Sequence, residues 1–194
     1  MKIGVLALQG AFREHCAPLA SCGVEAVEIR KADELDEIDG LILPGGESTT
    51  IGKLLVDWGI MDKIKQRAAQ GMAIYGTCAG LILLAKTIYN SDQPRLGLMD
   101  ISVQRNAFGR QTESFETDLQ VPEIGSESVH AVFIRAPLID KAGPDVKVLA
   151  KVEDKVVIAR QGQFLATSFH PELTGDHRIH QYFINMVREL NAAL

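Results

Sequence analysis

The chain has 194 residues, a length that is most simply one domain over 1–194 with a full hydrophobic core. Its formal net charge of −5 argues against a general nucleic-acid binder, and no apolar run approaches the roughly 20 residues that span a bilayer. Three cysteines with no sign of a disulfide framework favour a reducing cytoplasm. We therefore expect a cytoplasmic protein that binds neither nucleic acid nor membrane.

Strands and helices alternate along the first half of the chain. Short apolar runs predict strands at 3–8, 24–29, 41–43 and 72–75, and helices are expected between them at 11–21 and 61–70. A further helix follows Gly46, with Ser48 as its N-cap and one apolar face made by Ile51, Leu54, Leu55 and Trp58. This alternation predicts a doubly wound α/β sheet.

The second half is richer in strands. They are predicted at 98–108, 116–121, 129–134, 146–152, 156–160 and 164–169, and several should be antiparallel. The chain closes with a helix from about Asp176, whose apolar stripe should pack on the sheet. The predicted fold class is therefore α/β. It has three layers, with a mostly parallel central sheet, flanking helices and an antiparallel extension, as in flavodoxin-like folds.

Cys78 lies between a predicted strand and a predicted helix, in the sequence Gly76-Thr77-Cys78-Ala79-Gly80. Glycines two residues before and after the cysteine fit a nucleophile elbow with sulfur in place of oxygen, because a sharp turn leaves no room for Cβ atoms at its flanks. A position at the start of a helix would favour the thiolate. The alternative is a buried cysteine in an ordinary strand–loop–helix joint.

His170 and Glu172 follow the last predicted strand, in the sequence Ser-Phe-His-Pro-Glu at 168–172. Ligand sites of α/β sheets lie at the carboxyl ends of strands, which is also where Cys78 is expected. An imidazole could take the cysteine proton, and Glu172 could fix its tautomer. Alone, His170 could equally end a strand and Glu172 be a solvated charge.

Residues 45–50, Gly-Gly-Glu-Ser-Thr-Thr, follow the third strand and precede a helix. Glycines there expose backbone N–H groups that suit an anion or an oxyanion. A phosphate site is the alternative, although the Lys-Ser/Thr ending of a P-loop and the spacing of a dinucleotide fingerprint are missing.

Together these motifs resemble a known family. Leu-Pro-Gly-Gly-Glu-Ser at 43–48, Gly-Thr-Cys-Ala-Gly at 76–80 and His-Pro-Glu at 170–172 are similar to the signature of class I, triad-type glutamine amidotransferases. The segments 3–10, 105–111, 133–137 and 168–174 resemble, within that class, the glutaminase subunits of pyridoxal 5′-phosphate synthase. The resemblance covers nearly the whole chain.

The resemblance implies that Cys78 is the nucleophile, His170 the general base and acid, and Glu172 the orienting carboxylate. Backbone N–H groups of Gly46 and Ala79 would hold the oxyanion. The substrate L-glutamine would be held by Gly46, Glu47, Ser48, Arg105, Ile134 and Arg135. A guanidinium fork suits an α-carboxylate; without the resemblance, Arg105 and Arg135 would be taken for surface charges. Neither a metal nor a cofactor is implied, and His15, His130, His177 and His180 are interpreted as structural or exposed.

A stand-alone glutaminase also implies a partner, because free ammonia would be protonated and lost. The resemblance names a barrel-type synthase subunit that makes pyridoxal 5′-phosphate and receives ammonia through an internal channel once the two subunits dock. The docking site is predicted at or near Gln9, Gly10, Ala11 and Phe12, which start at the carboxyl edge of the sheet.

Three other functions remain open at this stage. The chain could supply ammonia to another synthase, such as one that makes an imidazole ring, although 105–111 and 133–137 speak against it. It could be a catalytically silent docking or regulatory subunit on the same fold. A cysteine peptidase on a related fold is a more distant possibility.

Overall fold

The structure is a computed structural model that describes residues 1–105 and 114–193. The strands are β1 (Lys2–Leu6), β2 (Glu25–Ile29), β3 (Gly40–Leu43), β4 (Ala73–Thr77), β5 (Ala85–Ile88), β6 (Met99–Gln104), β7 (Ser114–Leu119), β8 (Val129–Ile134), β9 (Leu138–Ala142), β10 (Lys147–Val152), β11 (Lys155–Gln161) and β12 (Phe164–Thr167). The α-helices are α1 (Phe12–Ser21), α2 (Ser48–Asp57), α3 (Ile60–Ala69), α4 (Ala79–Leu84) and α5 (Arg178–Ala192). Short 3₁₀ turns span Asp33–Glu37 and Pro171–Leu173.

Most strands join one mixed sheet. Its order is β2-β1-β3-β4-β12-β11-β9-β6-β5, with β10 paired to β11, and β7 and β8 form a separate hairpin. Neighbours from β2 to β12 are parallel, whereas β12, β11, β9 and β6 pair antiparallel. Strands β1, β3, β4 and β12 are therefore adjacent, and their carboxyl ends meet at one edge.

Side chains alternate between two apolar layers. In β3, Leu41 and Leu43 belong to a cluster with residues of α2, α3 and α4, whereas Ile42 belongs to a second cluster with residues of α1 and α5. Strand β4 divides in the same way, because successive residues of a strand point to opposite faces. The helices thus cover both faces, and the predicted three-layer α/β fold with an antiparallel extension is confirmed.

Two strands were not predicted. Strand β5 follows α4 directly and holds the exposed pair Lys86 and Thr87, while β9 holds three exposed residues in succession, Asp140 to Ala142. Both lie in the half of the sheet away from the parallel strands β1 to β4, and their exposed polar residues do not give the apolar pattern by which strands are predicted. The predicted strand at 98–108 is β6 as far as Gln104, and its positions 106–108 lie outside the described residues.

The cap of α2 differs from the prediction. Ser48 was expected to cap this helix, but its hydroxyl donates to Gln93 Oε1 (3.3 Å), and the cap is Glu47. The Glu47 carboxylate accepts from the backbone N–H groups of Thr49 (3.2 Å) and Thr50 (2.7 Å). Two carboxylate oxygens can satisfy two free N–H groups at once, which one buried hydroxyl cannot. The predicted stripe also fails at Trp58, which lies just beyond the helix and is 54% exposed.

We expect Glu47→Ala to lower the free energy of unfolding by about 1 kcal/mol at pH 7, the usual cost of losing an N-cap. Burial alone raises the pKa of Glu47, but hydrogen bonds from Thr50 and Thr49 outweigh it and lower that pKa to about 2. Because the folded-state pKa lies below the unfolded value of about 4.5, the stabilisation is present above pH 4.5 and disappears as the pH falls toward 2.

Urea unfolding of both proteins at pH 7, 5, 4 and 3 measures this difference. Glu189→Ala, which removes an exposed carboxylate from α5, serves as the control. A difference between Glu47→Ala and the parent that stays constant down to pH 3 would contradict the role of the carboxylate.

Candidate active site

Cys78 lies on a sharp turn between β4 and α4. Its backbone φ of 50° and ψ of −99° are strained values for a residue with a side chain, and its N–H donates to Thr167 O (2.9 Å) on the neighbouring strand β12. A Cβ added to Gly80 would lie 2.0 Å from Leu43 O, and one added to Gly76 would lie 2.5 Å from the Gly80 backbone. The turn therefore has the geometry of a nucleophile elbow, and glycine is required on both flanks.

His170 and Glu172 lie just beyond β12. The backbone N–H of His170 donates to Val132 O (2.8 Å) of β8, and its Nδ1 hydrogen bonds to Glu172 Oε1 (2.7 Å). With Nδ1 donating to the carboxylate, Nε2 is the ring nitrogen left for Cys78, which lines the same cavity as His170. The side chain of Glu172 is fully buried. Cys78 and His170 thus line one cavity, and the imidazole is bonded to the buried carboxylate.

The charge of His170 follows from its neighbours. Burial alone lowers the pKa of His170, but hydrogen bonds with Cys78 and Glu172 outweigh it and raise the pKa to about 10. The imidazole is therefore a cation near neutral pH while it is bound to both groups.

Two hydrogen bonds hold the segment around Gly46. Ala11 N–H donates to Gly45 O (3.0 Å), and Glu47 N–H donates to Gln9 Oε1 (2.8 Å). The predicted oxyanion donor Gly46 is thus fixed on both sides by the residues that follow β1. A Cβ at Gly45 would lie 2.4 Å from His170 Cε1, so the segment packs directly against the imidazole.

Arg105 reaches the N-terminus of α2 from the end of β6. Its Nη1 donates to Gln93 Oε1 (3.1 Å) and to Thr49 Oγ1 (3.4 Å), and its Nη2 is 3.7 Å from Glu47 Oε1. Gln93 also accepts from Ser48, so it joins two of the predicted glutamine-binding residues. Residues 106–111 of the same motif lie outside the described part of the chain.

A cavity of about 480 Å³ opens between these elements. It is lined by Gln9, Gly10, Ala11, Gly45, Gly46, Glu47, Ser48, Cys78, Ile82, Arg105, Ile134, Arg135, His170 and Leu173. Arg135 has a φ of 43°, a strained backbone at the rim of the cavity.

Three predicted site residues do not line the cavity. Glu172 is hydrogen bonded to His170 and buried, and Ala79 is buried as the first residue of α4. Phe12 lies half-buried on α1, with the guanidinium carbons of Arg13 and Arg30 at 5.7 and 5.5 Å from its ring centroid. The structure thus brings together the predicted triad, the Gly46 segment and the predicted glutamine-binding side chains.

Two histidines next to the triad had no predicted site role. His15 of α1 and His180 of α5 are fully buried, and His15 Nε2 lies 3.5 Å from Glu172 Oε2. One signal was available: His180 lies on the same helical face as Phe183, Ile184 and Val187, and a histidine on an apolar face needs a polar partner. That partner, His15, is 165 positions away in the chain.

Within residues 1–105 and 114–193, no group of three or more His, Cys, Asp or Glu side chains is arranged to hold a metal ion. Over the same residues, no helix is both long and apolar enough to cross a membrane.

Comparisons with known proteins agree with this geometry. The family model of the SNO glutamine amidotransferase family matches residues 5–189. The pyridoxal 5′-phosphate synthase subunit PdxT of Carboxydothermus hydrogenoformans is 62% identical over 96% of this chain and 98% of its own length. The PdxT subunit of Pelotomaculum thermopropionicum is 60% identical over 95% of this chain and 94% of its own.

Solved structures extend the comparison. A crystal structure of a glutamine amidotransferase superposes with a TM-score of 0.92 at 54% identity, covering 96% of this chain and 98% of the other. The structure of PurLQS from Thermotoga maritima has a TM-score of 0.71 at 19% identity, covering 95% of this chain and 97% of the other, and it shows a shared fold. With its elbow cysteine, buried carboxylate and nearly full-length match, the chain belongs to the SNO glutamine amidotransferase family.

Proposed function

We propose that this chain is a glutaminase domain over 1–194 that hydrolyses L-glutamine to L-glutamate and ammonia for pyridoxal 5′-phosphate synthesis. The observation that carries the proposal is the placement of Cys78 and His170 in one cavity at the carboxyl edge of the sheet, with Glu172 bonded to the imidazole. Family membership and the name PdxT of relatives at about 60% identity support the substrate and the pathway.

In the proposed reaction Cys78 is the nucleophile, and His170 carries the proton that is later delivered to the leaving group. The sulfur attacks the side-chain amide carbon of glutamine, and the oxyanion that forms is stabilised by the backbone N–H groups of Gly46 and Ala79. His170 gives its proton to the departing nitrogen, so that ammonia leaves and a γ-glutamyl thioester remains on Cys78. His170 then takes a proton from water, which attacks the thioester and releases glutamate. Each cycle consumes one glutamine and one water.

The substrate would bind in the 480 Å³ cavity with its side-chain amide toward Cys78. Arg105 offers a guanidinium fork to the α-carboxylate, and its bond to Gln93 holds that fork in place. Residues Gly46, Glu47 and Ser48 would line one side of the glutamine, and Ile134 and Arg135 the other.

The ammonia would pass directly to a barrel-type synthase subunit that docks over Gln9, Gly10, Ala11 and Phe12. Two contacts support this site, because Gln9 and Ala11 hydrogen bond to the residues on either side of Gly46. A partner that moves these residues would also move the proposed oxyanion donor Gly46, so that docking could change the catalytic rate. The three unpaired cysteines agree with a reducing compartment such as the cytoplasm.

Glutamate release from glutamine tests the proposed activity. We expect turnover that rises when the synthase subunit is added and falls more than about 1,000-fold in Cys78→Ser, because members of a catalytic triad act as a unit. A folded protein in a confirmed complex that releases no glutamate would contradict the enzyme and favour a silent docking subunit. Activity only with a different synthase would contradict the proposed pathway.

Charge reversal on the exposed face of α1 tests the docking site. We expect Arg13→Glu with Glu14→Lys to weaken complex formation at least tenfold in a titration with the synthase subunit, since complementary charges orient protein partners. Lys65→Glu, on the exposed face of α3, is the control and should bind normally. Unchanged affinity in the α1 variant would place the interface elsewhere.

A further inference from the structure

Behind the proposed triad lies a second row of buried polar side chains. His15 Nδ1 and His180 Nε2 are 2.9 Å apart, and His15 Nε2 lies 3.3 Å from Thr77 Oγ1 and 3.5 Å from Glu172 Oε2. The side chains of His15 and Glu172 have no exposed surface. This row joins α1, α5 and β4 to the carboxylate that holds His170.

The second oxygen of Glu172 needs a donor. Oε1 is occupied by His170, whereas Oε2 makes no hydrogen bond within the described residues at ordinary distances. A fully buried carboxylate is costly unless its oxygens face donors. His15 Nε2 is in position to supply that donor after a shift of a few tenths of an ångström, and hydrogen bonds of resting active sites often tighten only when substrate binds.

The protonation states of His15 and His180 also support His15 Nε2 as the donor to Glu172. Burial, followed by the charges of His180 and His170, lowers the pKa of His15 well below its usual value, and burial lowers the pKa of His180 to about 4. Both rings are therefore neutral, and each carries one N–H. The close pair of nitrogens must share one proton, which belongs either to His180 Nε2 or to His15 Nδ1.

Only one of these choices suits Glu172. If His15 carried its proton on Nδ1, the lone pair of its Nε2 would face a carboxylate oxygen in a dry interior. If His180 Nε2 donates instead, His15 carries its proton on Nε2 and directs it toward Glu172. His180 thus fixes the tautomer that His15 needs.

We propose that His15 is a positioning residue: its Nε2–H holds the second oxygen of Glu172, so that the first stays on His170 and keeps the imidazole aligned with Cys78. This inference rests on the proposed triad. Because His15 and Phe12 lie one turn apart on α1, the same helix carries both the proposed docking residues and the group that steadies the carboxylate.

Steady-state glutaminase kinetics of the assembled complex test the proposal. We expect His15→Leu to lower kcat about 10- to 100-fold with KM changed less than about twofold. A loss of this size is usual when a residue that holds a functional side chain in place is removed. His15→Gln should recover most of the loss, because its amide nitrogen can reach the place of Nε2. His15→Asn, whose amide replaces Nδ1 instead, should remain impaired.

Leu19→Ala is the matched control, since Leu19 is buried one turn later on the same face of α1. It should lower stability and leave kcat nearly unchanged. In a Glu172→Gln background, His15→Leu should lower kcat less than about threefold further, because the two residues act together.

Retention of kcat in His15→Leu would overturn the proposal. If that variant does not fold, equal kcat values for the Gln and Asn variants would overturn it as well. The parent complex separates this failure from that of the proposed function: if the parent shows no Cys78-dependent turnover, the function and this inference fall together. If the parent is active and the His15 variants match it, only this inference falls.

Discussion

The active site depends on keeping one carboxylate charged inside the protein. Glu172 is fully buried, and its 2.7 Å bond to His170 sets both the tautomer and the direction of the imidazole. That bond also helps raise the pKa of His170 to about 10, against the effect of burial. Without a carboxylate at this position the pKa of His170 would fall and the ring would lose the bond that sets its orientation.

The sheet makes this arrangement possible by bringing four strand ends to one edge. Strands β1, β3, β4 and β12 are neighbours, and they deliver in turn the Gln9 segment, the Gly46 segment, Cys78 and His170. These ends approach so closely that side chains cannot fit, as at Gly80 against Leu43 O and Gly45 against His170. The strained backbone of Cys78 is held there by a hydrogen bond from its N–H to β12, by the buried α4 and by the surrounding core. A strained backbone conformation of this kind persists only where contacts with the surrounding structure hold the residue in place.

Much of this could be predicted from the sequence, because local patterns carry it. Continuous apolar runs indicated β1, β3 and β4, and motifs placed at strand ends had to meet at one edge of a parallel sheet. The residue roles came from the resemblance to a family, since spacing alone left Arg105 and Arg135 as surface charges. Contacts between distant positions could not be predicted: the His15–His180 pair and the hydrogen bond from Arg105 to Gln93 exist only after folding. The prediction of Ser48 as the N-cap of α2 was wrong for the same reason, because its hydroxyl donates to Gln93, 45 positions away.

The most direct test of the account is covalent labelling with a glutamine analogue that carries an electrophilic carbon in place of the side-chain amide, read by mass spectrometry of the intact complex and its peptides. We predict one adduct per chain, on Cys78, which glutamine prevents and Cys78→Ser abolishes. Cys16 and Cys22 serve as internal controls, because burial raises the pKa of both thiols and so lowers the fraction present as the reactive thiolate. Labelling of those cysteines at the same rate, or labelling that persists in Cys78→Ser, would contradict the assignment of Cys78 as the nucleophile.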